Sequence, residues 1–395
     1  MQFIIHTIIA QYIGFVKRII PAYFKYLCIF VNIYKRKYIT VCFFVNFFKS
    51  KFAKYMEITG KVCYNSEVHK NSHIILSERA NNEMNKQLKS TLILLTAAII
   101  WGFAFVAQCV VDTNVIGNFT FNGTRFLLGA ASLIPIILIF EREDMSKKKW
   151  KKLFLAAAAA GTALFMASGL QQYGISLTHN AGKSGFITGL YTVLVPIFGW
   201  IIWRNKAGVN TWIAAVLAAL GLYLLGVSDG LSSIEVGDFV VFIGAFFWTM
   251  HILIIDKMVG DVSPIKFSAL QFAVCGLWNM IFALIFETIT WSGINATAMP
   301  ILYTGLMSTG VAYTCQIIGQ KDSDPNYAAI ILSTECVFSA IGGALLLDEV
   351  MTTRGYIGCV LIFAGILLSQ LKKKGDGNCA CEGCNDTAEC CEHKA

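Results

Sequence analysis

The chain has 395 residues, 56% of them hydrophobic and 14% charged, with a formal net charge of +8 and a mean hydropathy of +0.62. A water-soluble body of this size needs more charge than that to cover its exterior, so the composition excludes an ordinary soluble domain and points to a chain solvated by lipid.

In chain order, residues 1–83 come first and read differently from the rest. Leucine occurs there only at Leu27 and Leu76, while Ile, Phe, Tyr, Lys and Asn, types with A/T-rich codons, crowd the stretch. Its apolar runs are broken by Lys25, by "YKRKY" and by Lys49 and Lys51, so none spans a membrane, and it has no short apolar core before a small-residue cleavage site. "MNKQLKSTLILL" from Met84 has the form of a natural start, a short basic segment before a span. Two readings stand: an N-terminal extension that is disordered or untranslated, with translation beginning at Met84, or an interfacial anchor of basic and aromatic residues.

From residue 91 the apolar residues come in blocks: about 91–111, 119–140, 153–177, 185–203, 210–228, 238–255, 267–287, 297–318, 327–347 and 355–371. Each is close to the ~20 residues a helix needs to cross a hydrocarbon layer of about 30 Å. Backbone amides in lipid must bond within their own segment unless a barrel closes, and stretches such as "KLFLAAAAAGTALFMASGL" lack the alternation of barrel strands. The expectation is an all-α membrane protein with ten transmembrane helices. Loops are short and leave no room for a soluble domain.

Lys and Arg are retained on the cytoplasmic side. With the first span starting inside, inner segments hold sixteen of them, from Lys86 to Lys374, against only Lys183 and Arg354 outside. Both termini are therefore expected in the cytoplasm of a cell with the protein in its cytoplasmic membrane.

The two halves of the chain correspond. A shift of 144 superposes Gly199 on Gly343, Val216 on Val360, Leu217 on Leu361, Gly221 on Gly365 and Leu224 on Leu368, and a shift of 147 places Trp101 on Trp248 and Ala98 on Ala245. "FGWIIWRNKAG" ends the fourth span on Arg204 and Lys206, whereas "GGALLLDEV" ends the ninth on Asp348 and Glu349. Five is odd, so two five-helix repeats in one chain lie upside down relative to each other, and the charge swap is the trace of that inversion. Inverted repeats are an architecture of carriers, with a site near the midplane and alternating access by rocking. The repeats are read as 84–228 and 237–371, followed by a tail at 372–395.

"AAIIWGFAFVAQ", "NGTRFLLGAASLIP", "GFITGLYTVLVPIFGWII", "LSTECVFSAIGGALLLDEV" and "GYIGCVLIFAGILLSQL" resemble the drug/metabolite transporter superfamily in its EamA-like ten-helix branch, over residues 86–371. The resemblance implies a cytoplasmic-membrane carrier of amino acids, other small metabolites or drugs, usually an exporter. Two departures stand out. Cys336 follows Glu335 where the family often has proline, so no kink is expected there although Pro196 keeps its counterpart in the fourth span, and the family's Gly-Glu at the end of the ninth reads Asp348-Glu349.

Ionisable groups inside spans are costly and mark function by default. Glu335 lies near mid-depth of the ninth span and corresponds to Tyr191 by the 144 shift. It suits proton coupling or a cationic substrate; the plain alternative is a hydrogen-bonded tie between helices. Arg125, about six residues into the second span, could fork onto a substrate carboxylate, against a structural ion pair or snorkelling toward the interface. Lys183 reads as an interface anchor. His251, three residues after Trp248 and so on the same face, is either a proton relay or a packing residue. Trp101, Tyr191, Trp248, Gln271 and Tyr313 are taken with Arg125 as substrate-binding candidates, from a wider set that includes Gln108, Gln171, Gln172, Tyr173, Tyr303 and Gln316; helix packing or lipid contact is the alternative for each.

The tail carries Cys379, Cys381, Cys384, Cys390, Cys391 and His393, which either bind a soft metal or remain free thiols; the spacing matches no closed zinc module. The leading reading is a secondary carrier of a small-molecule substrate in a lipid bilayer, with protons as a possible coupling partner and a homodimer left open. There is no phosphate-cradling loop for ATP, no catalytic constellation of a membrane enzyme, and no cofactor, resident metal or nucleic-acid partner is expected. The second reading is a metal- or thiol-responsive membrane protein run by the tail.

Overall fold

The computed structural model describes residues 72–370, apart from 142–145, 205–206, 227–234, 261 and 350–351. The Cys-rich tail and the N-terminal stretch before Ser72 lie outside the described residues, so the expectations placed on them are carried no further. Among the described residues every regular element is helical. Eight helices are long and apolar enough to cross a membrane: α1 (Gln87–Cys109, the apolar part of a helix that starts at Ser72), α2 (Asn118–Ile139), α3 (Lys147–Thr178), α4 (Ala181–Ile202), α6 (Val236–Met258), α7 (Pro264–Phe286), α8 (Ala298–Lys321) and α9 (Pro325–Leu346). Two shorter apolar helices, α5 (Val209–Leu224) and α10 (Thr353–Leu368), complete the ten.

α5 and α10 pack along each other. A Cβ on Gly221 would lie 2.5 Å from the Gly358 carbonyl, and one on Gly365 would lie 2.9 Å from the Ala214 carbonyl. Such main-chain approach is how helices associate where lipid removes the hydrophobic drive, and these glycines are partners by the 144 shift.

Contacts between helices repeat under exchange of the halves. α3 packs on α6 as α8 packs on α1, α4 lies against α6 as α9 lies against α1, and α2 with α7, α4 with α9 and α5 with α10 each join a helix to its own counterpart. The end caps repeat too. Glu287, after α7, accepts from Phe119 N, Thr120 N and Thr120 Oγ1 at 2.8 Å each, at the start of α2, while Glu141, after α2, accepts from the Oγ of Ser263, the N-cap residue of α7. Beyond the ends of α4 and α9, Arg204 and Asp348 take left-handed φ values of 55° and 57°. Asp348 adopts this conformation at a position where the resembled family has glycine; aspartate, with its short polar side chain, tolerates it better than most residues. The protein is an all-α membrane bundle of two inverted five-helix repeats.

Large apolar side chains cover the exterior, and polar groups are set into an otherwise apolar interior. Leu284, Phe286, Val360 and Leu367 are exposed, whereas Asn122, Arg125, Gln172, His251, Gln271, Gln316 and Glu335 are buried.

Three spans are irregular. α4 is interrupted at Leu190, between helical segments Ala181–Gly189 and Tyr191–Trp203; Pro196 has no N–H for the Thr192 carbonyl and its ring crowds it. α9 is interrupted at Ser333 and Thr334, the same place in its half. The span is thus interrupted here although Cys336 stands where the resembled family often has proline. Ser333 Oγ and Thr334 Oγ1 donate to the carbonyls of Ile330 and Ile331, and Thr334 N, Cys336 N and Val337 N bond three residues back, so hydroxyls and tight turns break the helix without a proline. In α8, Tyr303–Tyr313 winds as a π-helix.

Candidate functional site

The interruptions in α4 and α9 meet. Tyr191 opens the second segment of α4 and Glu335 the second segment of α9, and Tyr191 Oη donates to Glu335 Oε1 at 3.1 Å. These two residues are equivalent under the 144 shift, so the pseudo-two-fold axis runs between their helices. Glu335 is 4% exposed and lies in the first turn of its segment, where the helix dipole favours a carboxylate. Discontinuous helices crossing at mid-depth are the usual frame of a carrier's site.

An aromatic group forms the next part of the wall. Tyr313 meets Trp101 edge-on at 4.6 Å between centroids and stacks on Trp248 at 5.9 Å with 15° between planes. The two indoles, equivalent under the 147 shift, thus hold one phenol between them. Trp101 Nε1 donates to the Ser308 carbonyl in the π-helical part of α8 at 3.3 Å. Trp248 Nε1 has no partner.

Arg125 is 2% exposed. Its Nε donates to Asn122 Oδ1 at 2.8 Å, and its guanidinium carbon lies 4.7 Å from the Phe126 ring centroid and 5.5 Å from that of Phe121. Nη2 has no partner, and among the described residues no carboxylate forms an ion pair with Arg125. The buried side chain neither snorkels nor forms an ion pair among the described residues, and Asn122, a turn away on the same helix, holds it inward.

Trp101, Arg125, Tyr191, Trp248, Tyr313 and Glu335 line one narrow cavity together with Gln108, Gln171, Thr188, Ser308 and Gln316. The room it leaves for a water-sized solute is about 30 Å³. Gln108 Oε1 and Gln316 Oε1 are unpartnered acceptors and Arg125 Nη2 and Trp248 Nε1 unpartnered donors. A buried polar group without a partner costs free energy, and four residues of this lining each carry one.

His251 and Gln271 stand behind this wall. His251 Nε2 and Gln271 Oε1 are 3.0 Å apart, both residues are wholly buried, and the imidazole contacts Trp248 and Tyr313 edge-on at 6.0 and 6.1 Å. Tyr173, in the wider candidate set, is 51% exposed and faces outward. Lys183, read as an interface anchor, instead pairs with Asp238 at 2.6 Å and lies 3.9 Å from Glu235. Sequence reasoning did not single out Thr188, Ser308 or Asp238. Thr188 precedes Tyr191 by one helical turn, which is a readable signal; Asp238 has none, because an acid at a span's first turn looks like an ordinary end group.

Residues 88–227 and 235–371 each match the model described as the EamA-like transporter family. The chain is 27% identical over 299 residues to an uncharacterized transporter of Archaeoglobus fulgidus, covering 75% of this chain and 91% of that protein. It is 23% identical over 286 residues to the uncharacterized transporter YoaV of Bacillus subtilis, covering 71% of this chain and 97% of that protein. A solved crystal structure superposes with a TM-score of 0.57 at 17% identity, covering 71% of this chain and 96% of that one, a likeness of fold.

Proposed function

The chain belongs to the EamA-like transporter family and is a multi-pass membrane transporter, and we propose that it is a secondary carrier exporting small carboxylate-bearing metabolites, such as amino acids, by alternating access. The observation that carries the substrate class is Arg125: a permanently charged guanidinium, buried, on the cavity wall, with one nitrogen unbonded and no ion pair among the described residues. A substrate carboxylate supplies the missing charge through a charge-assisted bond. Glu335 on the same cavity offers the complementary charge for an ammonium group or holds the coupling proton, and the Trp101, Tyr313 and Trp248 rings receive the apolar part. The bias of basic residues supports an orientation with both termini inside, and a cytoplasmic-membrane location is part of the proposal.

Proteoliposome counterflow with a panel of amino acids, amines and neutral solutes tests this. Carboxylate-bearing solutes exchange, and Arg125→Lys, which keeps the charge but loses the fork, reduces their exchange by roughly tenfold or more, the equivalent of one charge-assisted hydrogen bond. Exchange of amines lacking a carboxylate, unaffected by Arg125→Lys, would overturn the reading.

A further inference from the structure

Lys183 and Tyr327 are the third residues of α4 and α9 and correspond under the 144 shift; their partners Asp238 and Thr91 correspond under the 147 shift. Lys183 Nζ lies 2.6 Å from Asp238 Oδ2, with side-chain exposures of 15% and 6%. At the equivalent place in the inverted frame, Tyr327 Oη and Thr91 Oγ1 are 2.6 Å apart. Each contact ties one repeat to the other. Each stands eight residues, about 12 Å along a helix, from the central pair Tyr191–Glu335, toward opposite faces of the bundle.

We infer that these two contacts are the latches of the carrier's two gates, ionic on one face and neutral on the other, and that this difference sets which face opens at rest. The inference rests on the alternating-access reading. Both latches are closed in this structure. The latch residues sit on the short segments Ala181–Gly189 and Pro325–Leu332, each separated from the rest of its span by the interruption at Leu190 or at Ser333 and Thr334. The interruptions serve as hinges, so a latch segment, with Thr188 or Leu332 at its inner end, moves relative to Tyr191 and Glu335 beyond the break. Asp238 is held in place by the capping box with Glu235, and Glu349 clamps the start of the Lys183 segment by accepting from Ala181 N and Gly182 N at 3.0 and 3.3 Å. A charge-assisted contact, largely out of solvent, holds harder than a hydroxyl pair. The Thr91–Tyr327 face therefore opens first, and the resting carrier presents its cavity there. By the charge bias that face is cytoplasmic, as an exporter that loads from the cytoplasm requires.

The test uses the full chain in a transport-competent background with its cysteines replaced, carrying Ala104→Cys on the cavity wall. A membrane-impermeant maleimide is added to oriented vesicles from either face, with and without transported solute. Labelling from the Thr91 face exceeds that from the Lys183 face. Lys183→Gln raises labelling from the Lys183 face by roughly fivefold, the worth of a partly buried ion pair, while Lys183→Arg stays at the parental rate; Thr91→Ala lowers labelling from the Lys183 face. Equal rates for Lys183→Gln and Lys183→Arg, or a rise on both faces together in Lys183→Gln, overturn the latch. Labelling from one face only, in the parent during turnover and in every variant, overturns alternating access itself, and the latch with it.

Discussion

Gly102 follows Trp101 on α1 and faces α9. A Cβ built there would lie 2.3 Å from Phe338 Cβ, 2.7 Å from the Phe338 carbonyl carbon and 2.8 Å from Ser339 N. These atoms belong to the main chain or are fixed to it, so no side-chain rotation relieves the overlap. Bringing the closest pair to ordinary contact at 3.4 Å requires about 1 Å of separation between two helices. Inserting a methyl into a packed seam costs about 1–3 kcal/mol, and in lipid no hydrophobic gain offsets the lost packing. Gly169 on α3 is the control: nothing lies within 4 Å of its would-be Cβ, and alanine in a helix interior is favoured over glycine by up to about 1 kcal/mol. Gly102→Ala therefore lowers the apparent unfolding midpoint in detergent, and Gly169→Ala holds or raises it. The same displacement shifts Trp101 against the Ser308 carbonyl, so Gly102→Ala also slows counterflow while Gly169→Ala does not. An unfolding midpoint for Gly102→Ala at or above the parent's would show that α1 and α9 are not joined along this seam.

Glu287 holds two amides and a hydroxyl at the start of α2. Its replacement by Ala costs about 2 kcal/mol, the range for hydrogen bonds to a charged acceptor, read as a lower unfolding midpoint, with Glu287→Gln in between; equal midpoints for all three proteins would refute the cap. Glu335→Gln abolishes the stimulation of transport by an imposed proton gradient. Gradient-stimulated transport surviving in Glu335→Gln would remove this carboxylate from coupling.

The bundle was legible in the sequence because lipid demands long apolar runs, and the inversion was legible because an odd number of spans and a reversed end charge leave no other arrangement. The candidate residues were legible for a related reason: Arg125 and Glu335 stand out where every neighbour is apolar, and Trp101 and Trp248 stand out as a repeated pair. What was not legible is local backbone geometry. The break in α9 comes from Ser333 and Thr334 hydroxyls competing for carbonyls, and serine or threonine in a span more often leaves the helix intact. The π-helical winding of Tyr303–Tyr313 has no compositional mark at all. His251 and Gln271 carried the right chemistry but lie one layer behind the wall, a difference of helix rotation smaller than sequence periodicity resolves.

Pseudo-symmetry also locates the chemistry by its exceptions. Where the halves agree, as at Gly221 and Gly365 or at the caps Glu141 and Glu287, the residues hold the frame. Where equivalent positions differ, Tyr191 against Glu335 and Lys183 against Tyr327, a neutral group faces a charged one across the same axis. A symmetric pair of halves has equal free energies for opening either way, so no direction is preferred. A charge present in only one half makes the two open states unequal, and the proposed coupling carboxylate, Glu335, stands at the centre of only one half. On the proposed alternating-access reading, the preferred resting orientation therefore resides in the substitutions that break the repeat, while the solute and ion gradients set the direction of net flux.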